Sequence, residues 1–574
     1  MMNQQRGTAH HKTSIAYFSM EIGLQSDIPT YSGGLGILAG DTVRTAADME
    51  VPMVGVTLLP RKGYFHQALD AAGNQIEKSD AWDVSDHLRQ LKARVTVVMD
   101  KRELKVRAWQ YDVVGATGFT VPVLFLDTDM RGNDARDRKL SHHLYGGDER
   151  YRLCQEYVLG VGGARMLRAL GYEHIDRFHM NEGHAAFLIL QLVDEELSRA
   201  GGRKIKPEHI ESVRRKCVFT MHTPVAAGHD KFPMSMVRKV LGRHKIWDLR
   251  GELAGDRDTL NMTYLALNFS RYVNGVSEQH GRVSREMFAS YQIDAITNGV
   301  HAATWVSGPF QRLLDRYTPA WRTDNFSIRY ALSVPVEEVW QAHTKCKAKL
   351  IRYVAKHQKV KLDPEVFTIG FGRRATAYKR ADLILRDLDR LKEIAPSAGP
   401  FQIVFAGKAH PQDAAGKRLI GQVFEARERL EPDVRLVYLP NYDMDVAKVM
   451  IPGVDVWLNT PQPPHEASGT SGMKAALNAV PSLSMLDGWW IEGCVENLTG
   501  WAIRDGGKAR KGRKDTSAKD AAALYAKLQD VVIPMFYRDR ARYMRIMLCA
   551  LALNGSFFNT QRMLQEYLLK AYLK

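Results

Sequence analysis

One stretch of the sequence, Pro464–Asn478, carries residues able to hold a phosphate and to react with an aldehyde. Within it, Ser468–Gly472 is a run of small residues between an apolar segment, Val454–Leu458, and a helical pattern. Such a turn lets backbone N–H groups point at a ligand oxygen, and the helix N-terminus behind it adds positive potential. Lys474 places there an amine that could bond covalently to an aldehyde cofactor carrying a phosphate, and Glu466 supplies a carboxylate suited to binding hydroxyl groups.

A second group of candidate residues follows the predicted strand Val366–Phe371. Arg373 and Arg374 lie in the loop after this strand, and Lys379 is predicted to stand at the N-terminus of the helix that follows. Three cations with backbone donors would hold dense negative charge, such as two neighbouring phosphates. A charge cluster in a loop is usually only a solvated face, but this loop belongs to the same predicted sheet as Lys474.

The amino-terminal half offers a glycine turn and a histidine at a strand end. Gly33 and Gly34 belong to a Gly-Gly-x-Gly turn before a predicted helix, Ile37–Ala47, and such a turn lets an oxyanion approach the backbone closely. His222 lies at the carboxyl end of the predicted strand Lys216–Thr223, where open α/β sheets bind ligands. Each signal is weak alone, because many glycine turns only reverse the chain and a lone histidine is more often a structural hydrogen bonder.

Together these strings resemble segments of the α-glucan phosphorylases, the family of glycogen, starch and maltodextrin phosphorylases. The string Glu-Ala-Ser-Gly-Thr-Ser-Gly-Met-Lys, which ends at Lys474, is similar to the family's pyridoxal-phosphate lysine segment. The resemblance runs from about Ala16 to Leu553 and is to the compact bacterial and archaeal branch. The other strings that carry it are the glycine turn, the basic loop Gly372–Arg380, Asn181–His184 and Met221–Pro224.

The resemblance implies an α/β chain with a GT-B fold, in which two Rossmann-like lobes enclose an active-site cleft. Independently, the alternation of strands and helices after Val366 indicates a doubly wound parallel sheet. The division expected from the family is a flexible tail at 1–13, a glucan-side lobe at 14–310, a connection at 311–345, a cofactor and phosphate lobe at 346–540, and final helices at 541–574 that pack back on the first lobe.

The implied reaction is the reversible phosphorolysis of the terminal α-1,4-linked glucose of a glucan, which gives α-D-glucose 1-phosphate. Its cofactor would be pyridoxal 5'-phosphate, whose phosphate in this family lies against the substrate phosphate and relays a proton, with the lysine as anchor. The residues agree with transfer to phosphate, because the motifs offer cations and backbone donors but no evident carboxylate pair in glycosidase roles.

The resemblance also implies roles for individual residues. Catalytic roles fall to Lys474, Lys379, Arg374 and His222. Cofactor contacts fall to Lys474, Thr470, Arg373, Tyr442 and Gly469. Contacts with the sugar or the substrate phosphate fall to Gly33, Gly34, His222, Asn298, Glu466, Ser468, Gly469 and His184. The sequence departs from the family at Asp443, where many members carry an arginine, and at Thr376, where longer members carry a histidine.

The net charge of +16 suits phosphate-bearing substrates as well as nucleic acid, and part of it lies in one basic stretch, 506–519. We expect no nucleic-acid partner. No apolar run reaches the ~20 residues that span a bilayer, and the first residues lack a signal peptide's apolar segment, so we expect a cytoplasmic protein without a membrane partner. The five scattered cysteines indicate reduced thiols, and we expect no metal. A homo-oligomer is compatible with the sequence.

Two alternatives stay open at this point. The first is a nucleotide-sugar glycosyltransferase of the glycogen or starch synthase kind, which Lys474 disfavours, as does Tyr31 at a position where synthases usually have a lysine. The second is a glucan- or nucleic-acid-binding relative that has lost catalysis, which Asp443 and the basic stretch keep open.

Overall fold

The computed structural model describes residues 14–225, 228–249, 258–504 and 516–573. The tail at 1–13 and most of the basic stretch at 506–519 therefore lie outside the described residues. No helix in the described ranges is long and apolar enough to cross a membrane.

The first half of the chain is built on a nine-stranded sheet, and we call this part the first lobe. Its strand order is β13-β12-β9-β8-β1-β2-β7-β6-β5. The strands of the first half are β1 Ile15–Ser19, β2 Met53–Leu58, β3 His66–Leu69, β4 Gln75–Lys78, β5 Arg89–Met99, β6 Arg102–Val114, β7 Thr120–Asp127, β8 Arg177–Asn181, β9 Cys217–Thr220, β10 Lys231–Pro233, β11 Thr259–Asn261, β12 Tyr272–Gly275 and β13 Asp294–Ala295.

Sequence pattern explains why this sheet is mixed. β1 and β2 are almost wholly apolar and β8 is almost wholly buried, and β1 pairs in parallel with both, as expected for strands covered on both faces. β5 and β6 alternate buried and exposed residues and pair antiparallel at the edge, leaving one face to solvent. The carboxyl ends of β1, β8 and β9 therefore meet at one edge, where Glu21, Asn181 and His222 lie.

The second half is built on a six-stranded parallel sheet, which we call the second lobe. Its order is β16-β15-β14-β17-β18-β19. The reversal of order at β14 and β17 leaves a crevice beyond their carboxyl ends, the usual ligand position in such sheets. The strands are β14 Phe367–Gly372, β15 Phe401–Ala406, β16 Arg435–Leu439, β17 Val456–Asn459, β18 Ser482–Ser484 and β19 Gly500–Ala502. The predicted α/β class is confirmed.

Helices cover the faces of both sheets. Those of the first lobe are α1 Gly34–Asp48, α2 Ala135–Arg138, α3 Glu149–Tyr157, α4 Gly163–Ala169, α5 Leu188–Arg199, α6 Pro207–Arg214, α7 Met234–Leu241, α8 Met262–Asn268, α9 Glu278–Met287, α10 Ala302–Trp305 and α11 Gly308–Tyr317. The later helices are α12 Val336–Gln358, α13 Leu388–Ala398, α14 Ala414–Leu430, α15 Met444–Gly453, α16 Ser471–Ala476, α17 Trp490–Gly493, α18 Ser517–Lys527, α19 Ile533–Arg538, α20 Arg540–Cys549 and α21 Thr560–Tyr567.

Two predicted helix starts were wrong. The glycine-turn helix begins at Gly34 rather than near Ile37, because the glycines themselves adopt the first helical turn. No continuous helix follows Lys379, which lies in a single 3₁₀ turn: Arg380 takes a left-handed conformation with φ 49°, and the helix proper begins only after Asp387. The Asp387 side chain accepts from the backbone N–H of Arg390 at 2.9 Å and so caps that start.

Two segments make contacts that join the lobes. The hairpin β3–β4 of the first lobe bonds to the second lobe: Gln67 accepts from the backbone N–H of Asn441 at 2.8 Å, and Gln75 accepts from that of Ala409 at 2.9 Å. At the chain's end, α21 packs on α1 and its Tyr567 lies in a core shared with the first sheet. Both halves are thus tied together by the hairpin and by the end of the chain.

Candidate functional site

The turn after β17 places Lys474 at the crevice of the second lobe. Gly469 adopts φ +88°, a left-handed conformation that favours glycine, and the chain enters α16 directly afterwards. Thr470 stands at the helix N-cap and its carbonyl accepts from the backbone N–H of Lys474 at 3.3 Å. The Ser468 hydroxyl is buried and has no protein partner. The turn therefore presents a hydroxyl and a helix N-terminus beside the lysine.

Lys474 is a buried amine rather than a surface lysine. Its Nζ lies 3.6 Å from the centroid of the Trp305 ring, and the side chain is 8% exposed. Burial lowers the pKa of Lys474 to about 8, although Asp41 opposes the change. The Trp305 indole N–H donates at 2.8 Å to Asp41, a residue of helix α1 in the first lobe. Helix α1 is thereby connected to Lys474 through the Trp305 ring. An amine with a lowered pKa is more often unprotonated at neutral pH and thus nucleophilic.

Glu466 forms ion pairs with two of the predicted cations, Arg373 and Lys379. Its carboxylate accepts from Lys379 Nζ at 2.6 and 2.7 Å and from Arg373 Nη2 at 2.5 Å. Burial would raise the pKa of Glu466, but Arg373 and Lys379 hold it at about 2. Burial, with a contribution from Glu466, raises the pKa of the neighbouring Asp487 to about 7. Asp487 accepts the Glu466 backbone N–H at 2.8 Å and so fixes the turn.

A phosphate-bearing group fits the unpartnered donors of the loop after β14. The Nη1 of Arg373 is buried without a protein partner, and so is the Thr376 hydroxyl. Tyr442 packs on Gly372, where an added Cβ would lie 3.0 Å from its ring, and this brings the ring next to Arg373. A buried guanidinium nitrogen with no acceptor is costly unless an anion completes it. These donors and the nearby amine are the set that a phosphorylated aldehyde requires.

Arg374 points away from Glu466. It is exposed, and it lies near Tyr64 and His410. Burial raises the pKa of Tyr64 to about 12 against the opposing effect of Arg374. Asp443 does not occupy the cation cluster either: its carboxylate caps α15 by accepting the Val446 N–H at 2.9 Å. Arg374 is therefore the cation that faces open solvent on this side of the crevice.

The glycine turn faces the second lobe across open space. A Cβ added at Gly33 or Gly34 would meet no protein atom within 4 Å. The Tyr31 hydroxyl accepts the backbone N–H of Met444 at 3.0 Å, which links the turn to the second lobe. Because protein atoms leave this side free, the glycines allow a ligand to approach the backbone.

His222 and Asn298 lie in the first lobe near the turn that contains Glu466. The Nε2 of His222 lies 2.6 Å from the Asn181 side-chain oxygen, which makes it the donor in this contact. Burial lowers the pKa of His222 to about 4, so its imidazole is neutral. The Asn298 side-chain oxygen is buried without a protein partner. Nearby, Ser277 donates to the Ala467 carbonyl at 2.7 Å, which connects this wall to the turn.

His184 belongs to a separate ion-pair network. In the described part of the chain, one side-chain nitrogen or oxygen atom from each of His184, Glu156 and Asp230 lies within 4.8 Å of the other two. At this spacing the three atoms could bind a metal ion. Arg152 lies among them and bonds to both carboxylates at 2.9 Å. Because Arg152 already bonds to both carboxylates and burial raises the pKa of Glu156 well above its usual value, we interpret the group as an ion-pair network rather than a metal site. His184 Nδ1 remains buried without a protein partner.

Sequence reasoning missed three residues that shape this site. Asp41 and Trp305 reach Lys474 from elements far away in the chain, and no local pattern marks either residue. Glu21 binds the glycine turn and carried a usable signal, because it is a carboxylate just beyond the carboxyl end of an apolar strand.

Comparisons with known proteins place this geometry in a family. A sequence model described as "Carbohydrate phosphorylase" matches residues 251–500. Maltodextrin phosphorylase of Thermococcus litoralis is 38% identical over 98% of this chain and 70% of its own length. Glycogen phosphorylase of Mycobacterium tuberculosis is 37% identical over 97% and 70%, respectively. Glycogen phosphorylase of Aquifex aeolicus is 35% identical over 98% and 87%. The resemblance found in the sequence is confirmed: the chain belongs to the carbohydrate phosphorylase family.

Proposed function

We propose that this protein is an α-1,4-glucan phosphorylase that converts the terminal glucose of glycogen or maltodextrin and inorganic phosphate into α-D-glucose 1-phosphate, reversibly. The relatives are named maltodextrin and glycogen phosphorylases, and the chain covers most of their length. The observation that carries the proposal is the buried Lys474 amine, together with an unpartnered nitrogen on Arg373, which bonds to Glu466 in the segment that leads to Lys474, in a chain of this family.

We propose pyridoxal 5'-phosphate as the cofactor. Lys474 would anchor its aldehyde, and Arg373, Thr470, Gly469 and Tyr442 would surround it, since Thr470 and Gly469 belong to the turn before Lys474 and Arg373 bonds to Glu466 of the same segment. When bound, the cofactor supplies a phosphate that relays a proton to the substrate phosphate. The chain's own part is to lower the pKa of the amine through burial, which raises its unprotonated fraction, and to leave one guanidinium nitrogen free for the phosphate.

The substrate phosphate is assigned to Arg374 and Lys379. Arg374 is exposed, and Lys379 is held in place by its contact with Glu466. Cations fixed in place before the reaction stabilise charge that develops on a sugar–phosphate transition state. The backbone of Gly33 and Gly34 would approach the same oxygens from the first lobe, because nothing in the protein fills that space.

The transferred glucose is assigned to the wall formed by His222, Asn298, Glu466 and Ser468, with Gly469 in the turn and His184 farther out. The buried and unpartnered oxygens of Asn298 and Ser468 are suited to sugar hydroxyls. A neutral His222 donates one hydrogen bond to Asn181 and keeps its other ring nitrogen for a hydroxyl donor. Glu466 would share its carboxylate between the sugar and the two cations.

The lobe assignments follow from the same proposal. We assign residues 14–310 to the glucan side and 346–540 to the cofactor and phosphate side, with 311–345 as the connection; α12 runs through the boundary at 345. Residues 541–574 would return to the first lobe, as the contacts of α21 suggest. The five free thiols suit a reducing compartment, and we propose that the enzyme acts in the cytoplasm. A homo-oligomer remains compatible with this assignment.

A glucose 1-phosphate assay with maltodextrin and phosphate, run beside the absorption spectrum of the purified protein, tests the proposal. We expect product release and the absorption of bound pyridoxal phosphate. Lys474→Ala should lose both the lysine-dependent absorption and activity, because no other amine replaces the anchor. The matched control is Lys519→Ala, which changes an exposed lysine of α18 in the same lobe and should behave as wild type.

Three outcomes would contradict the proposal. A wild-type protein that lacks the cofactor and transfers glucose from ADP-glucose would be a nucleotide-sugar glycosyltransferase instead. A protein that binds the cofactor but releases no glucose 1-phosphate would be an inactive relative. Cofactor absorption that survives in Lys474→Ala would move the anchor to another lysine.

A further inference from the structure

A single carboxylate binds the inner side of the glycine turn. Glu21 lies two residues beyond β1 and is 3% exposed. Its Oε2 accepts the backbone N–H groups of Ser32 and Gly33, the latter at 3.2 Å, and its Oε1 accepts the Ser32 hydroxyl at 3.1 Å. Three donors of the turn therefore depend on one side chain.

The turn packs directly on this carboxylate. A Cβ at Gly36 would lie 2.7 Å from Glu21 Oε2 and 2.6 Å from the Tyr31 Cβ. Because Gly36 has no side chain, the turn can pack directly against the Glu21 carboxylate. The opposite side, at Gly33 and Gly34, faces open space. The turn consequently has an inner side bound by Glu21 and an outer side available to a ligand.

Glu21 is itself held in place by a hydrogen bond from Tyr145. The Tyr145 hydroxyl donates to Glu21 Oε1 at 2.9 Å, and burial raises the pKa of Tyr145, so the hydroxyl keeps its proton. The Arg152 guanidinium lies 4.4 Å from the centroid of the Tyr145 ring. Arg152 in turn bonds to Glu156 and Asp230 at 2.9 Å. Through Arg152 and Tyr145, the ion-pair network around His184 thereby fixes the position of Glu21, and Glu21 fixes the glycine turn.

We propose that Glu21 is the positioning residue of the glycine turn: it sets the distance between the turn's free backbone donors and the reacting phosphate and sugar. This inference rests on the proposed function, because it takes the outer side of the turn as a substrate surface. Glu21 uses the Gly33 amide itself, which leaves the Gly34 amide and the first turn of α1 for the substrate. The carboxylate acts through the turn and does not contact the reacting atoms.

The test compares the holoenzymes of wild type, Glu21→Gln and Glu21→Asp. Glutamine keeps the shape but turns one acceptor oxygen into a donor group that faces the turn's own N–H groups, so the turn should shift. A misplacement of about 1 Å costs on the order of 100-fold in catalysis, and we expect kcat/KM for phosphate to fall by about that factor in Glu21→Gln. Glu21→Asp, which keeps the charge, should recover part of the loss. The matched control is Glu103→Gln, at an exposed position of β6.

Two readouts separate positioning from a general loss of structure. The KM for phosphate should rise in Glu21→Gln while the bound cofactor content stays at one per chain, whereas partial unfolding would lower kcat and cofactor content together at constant KM. Hydrogen exchange of the amides at 31–34 should also become faster in Glu21→Gln and stay unchanged in Glu103→Gln.

The exchange measurement stands even if the wild type releases no glucose 1-phosphate, so failure of the proposed function and failure of this inference are distinguishable. Unchanged exchange at 31–34 in Glu21→Gln would overturn the inference. Faster exchange with an unchanged KM and kcat would overturn it as well, because the turn would then have moved without consequence for the substrate.

Discussion

Lys379 is the cation whose role is best defined by its contacts. It donates to both oxygens of Glu466, and it lies 4.6 Å from the centroid of the Tyr378 ring. These contacts hold the amine at the crevice without neutralising the cluster, because Glu466 supplies one negative charge to two cations. A substrate phosphate would meet the remaining positive charge.

Lys379→Ala should therefore keep the cofactor and lose phosphorolysis. We expect kcat/KM for phosphate to fall by ~10²–10³-fold, the usual cost of losing one preorganised charge donor. Steady-state kinetics with phosphate as the varied substrate, together with the cofactor spectrum, measures this. Lys361→Ala, at an exposed position before β14, is the control and should keep wild-type kinetics. Wild-type turnover in Lys379→Ala would remove Lys379 from the phosphate site.

The sequence could predict Lys474, Arg373 and Lys379 because each lies in a contiguous string with a recognisable chemistry. It could not predict that Glu466 would pair with these cations, since the partners stand 93 and 87 residues apart in the chain. The same limit applies to Asp41 and Trp305, which depend on tertiary packing alone. Local sequence pattern therefore identified the charged side chains, whereas their hydrogen-bond partners depend on the tertiary fold.

At the scale of elements, strand positions were more predictable than helix starts. Apolar runs marked β14 and β17 to within two residues, because both strands are buried on both faces. The turn after Lys379 was not predictable, since a left-handed Arg380 is held there by the Thr460 and Pro461 carbonyls and by Asp520. Tertiary bonds to a distant segment overrode the helical pattern.

Helix α21 gives an element-scale prediction. Its Arg562 is 5% exposed and donates to the carbonyls of Thr297 at 2.7 Å and Asn298 at 3.0 Å. Arg562→Ala leaves these carbonyls unpaired, and each lost partner costs about 1–3 kcal/mol. Native-state hydrogen exchange should show the free energy of local opening at 296–300 falling by about 2–4 kcal/mol. The control Gln565→Ala changes an exposed residue of the same helix and should change it by less than about 0.5 kcal/mol. Equal protection at 296–300 in wild type and Arg562→Ala would refute this role for the helix.

At the scale of the molecule, the β3–β4 hairpin is a second connection between the lobes, away from the chain crossing at α12. Gln67 donates to the Gly407 carbonyl and Gln75 to the Ala409 carbonyl, both at 2.9 Å, and the two amides also bond to each other. An ion pair between Lys417 and Glu77, at 2.7 Å, extends the contact. These bonds connect the first lobe to the segments that follow β15 and β16, at the carboxyl edge of the second sheet.

Gln67→Ala combined with Gln75→Ala should loosen the two lobes without unfolding either. Each lost hydrogen bond removes about 1 kcal/mol, so the pair should lose several kcal/mol of interlobe stabilisation and populate a more open cleft. Small-angle X-ray scattering should then give a larger radius of gyration. The value of kcat/KM for phosphate should fall by about tenfold, because the closed cleft, in which the catalytic cations face the glycine turn, is less populated. Gln90→Ala, an exposed glutamine on β5, should leave both quantities at their wild-type values. Should the double variant scatter and turn over as the wild type does, the remaining contacts between the lobes must set the cleft, and the hairpin would have no part in it.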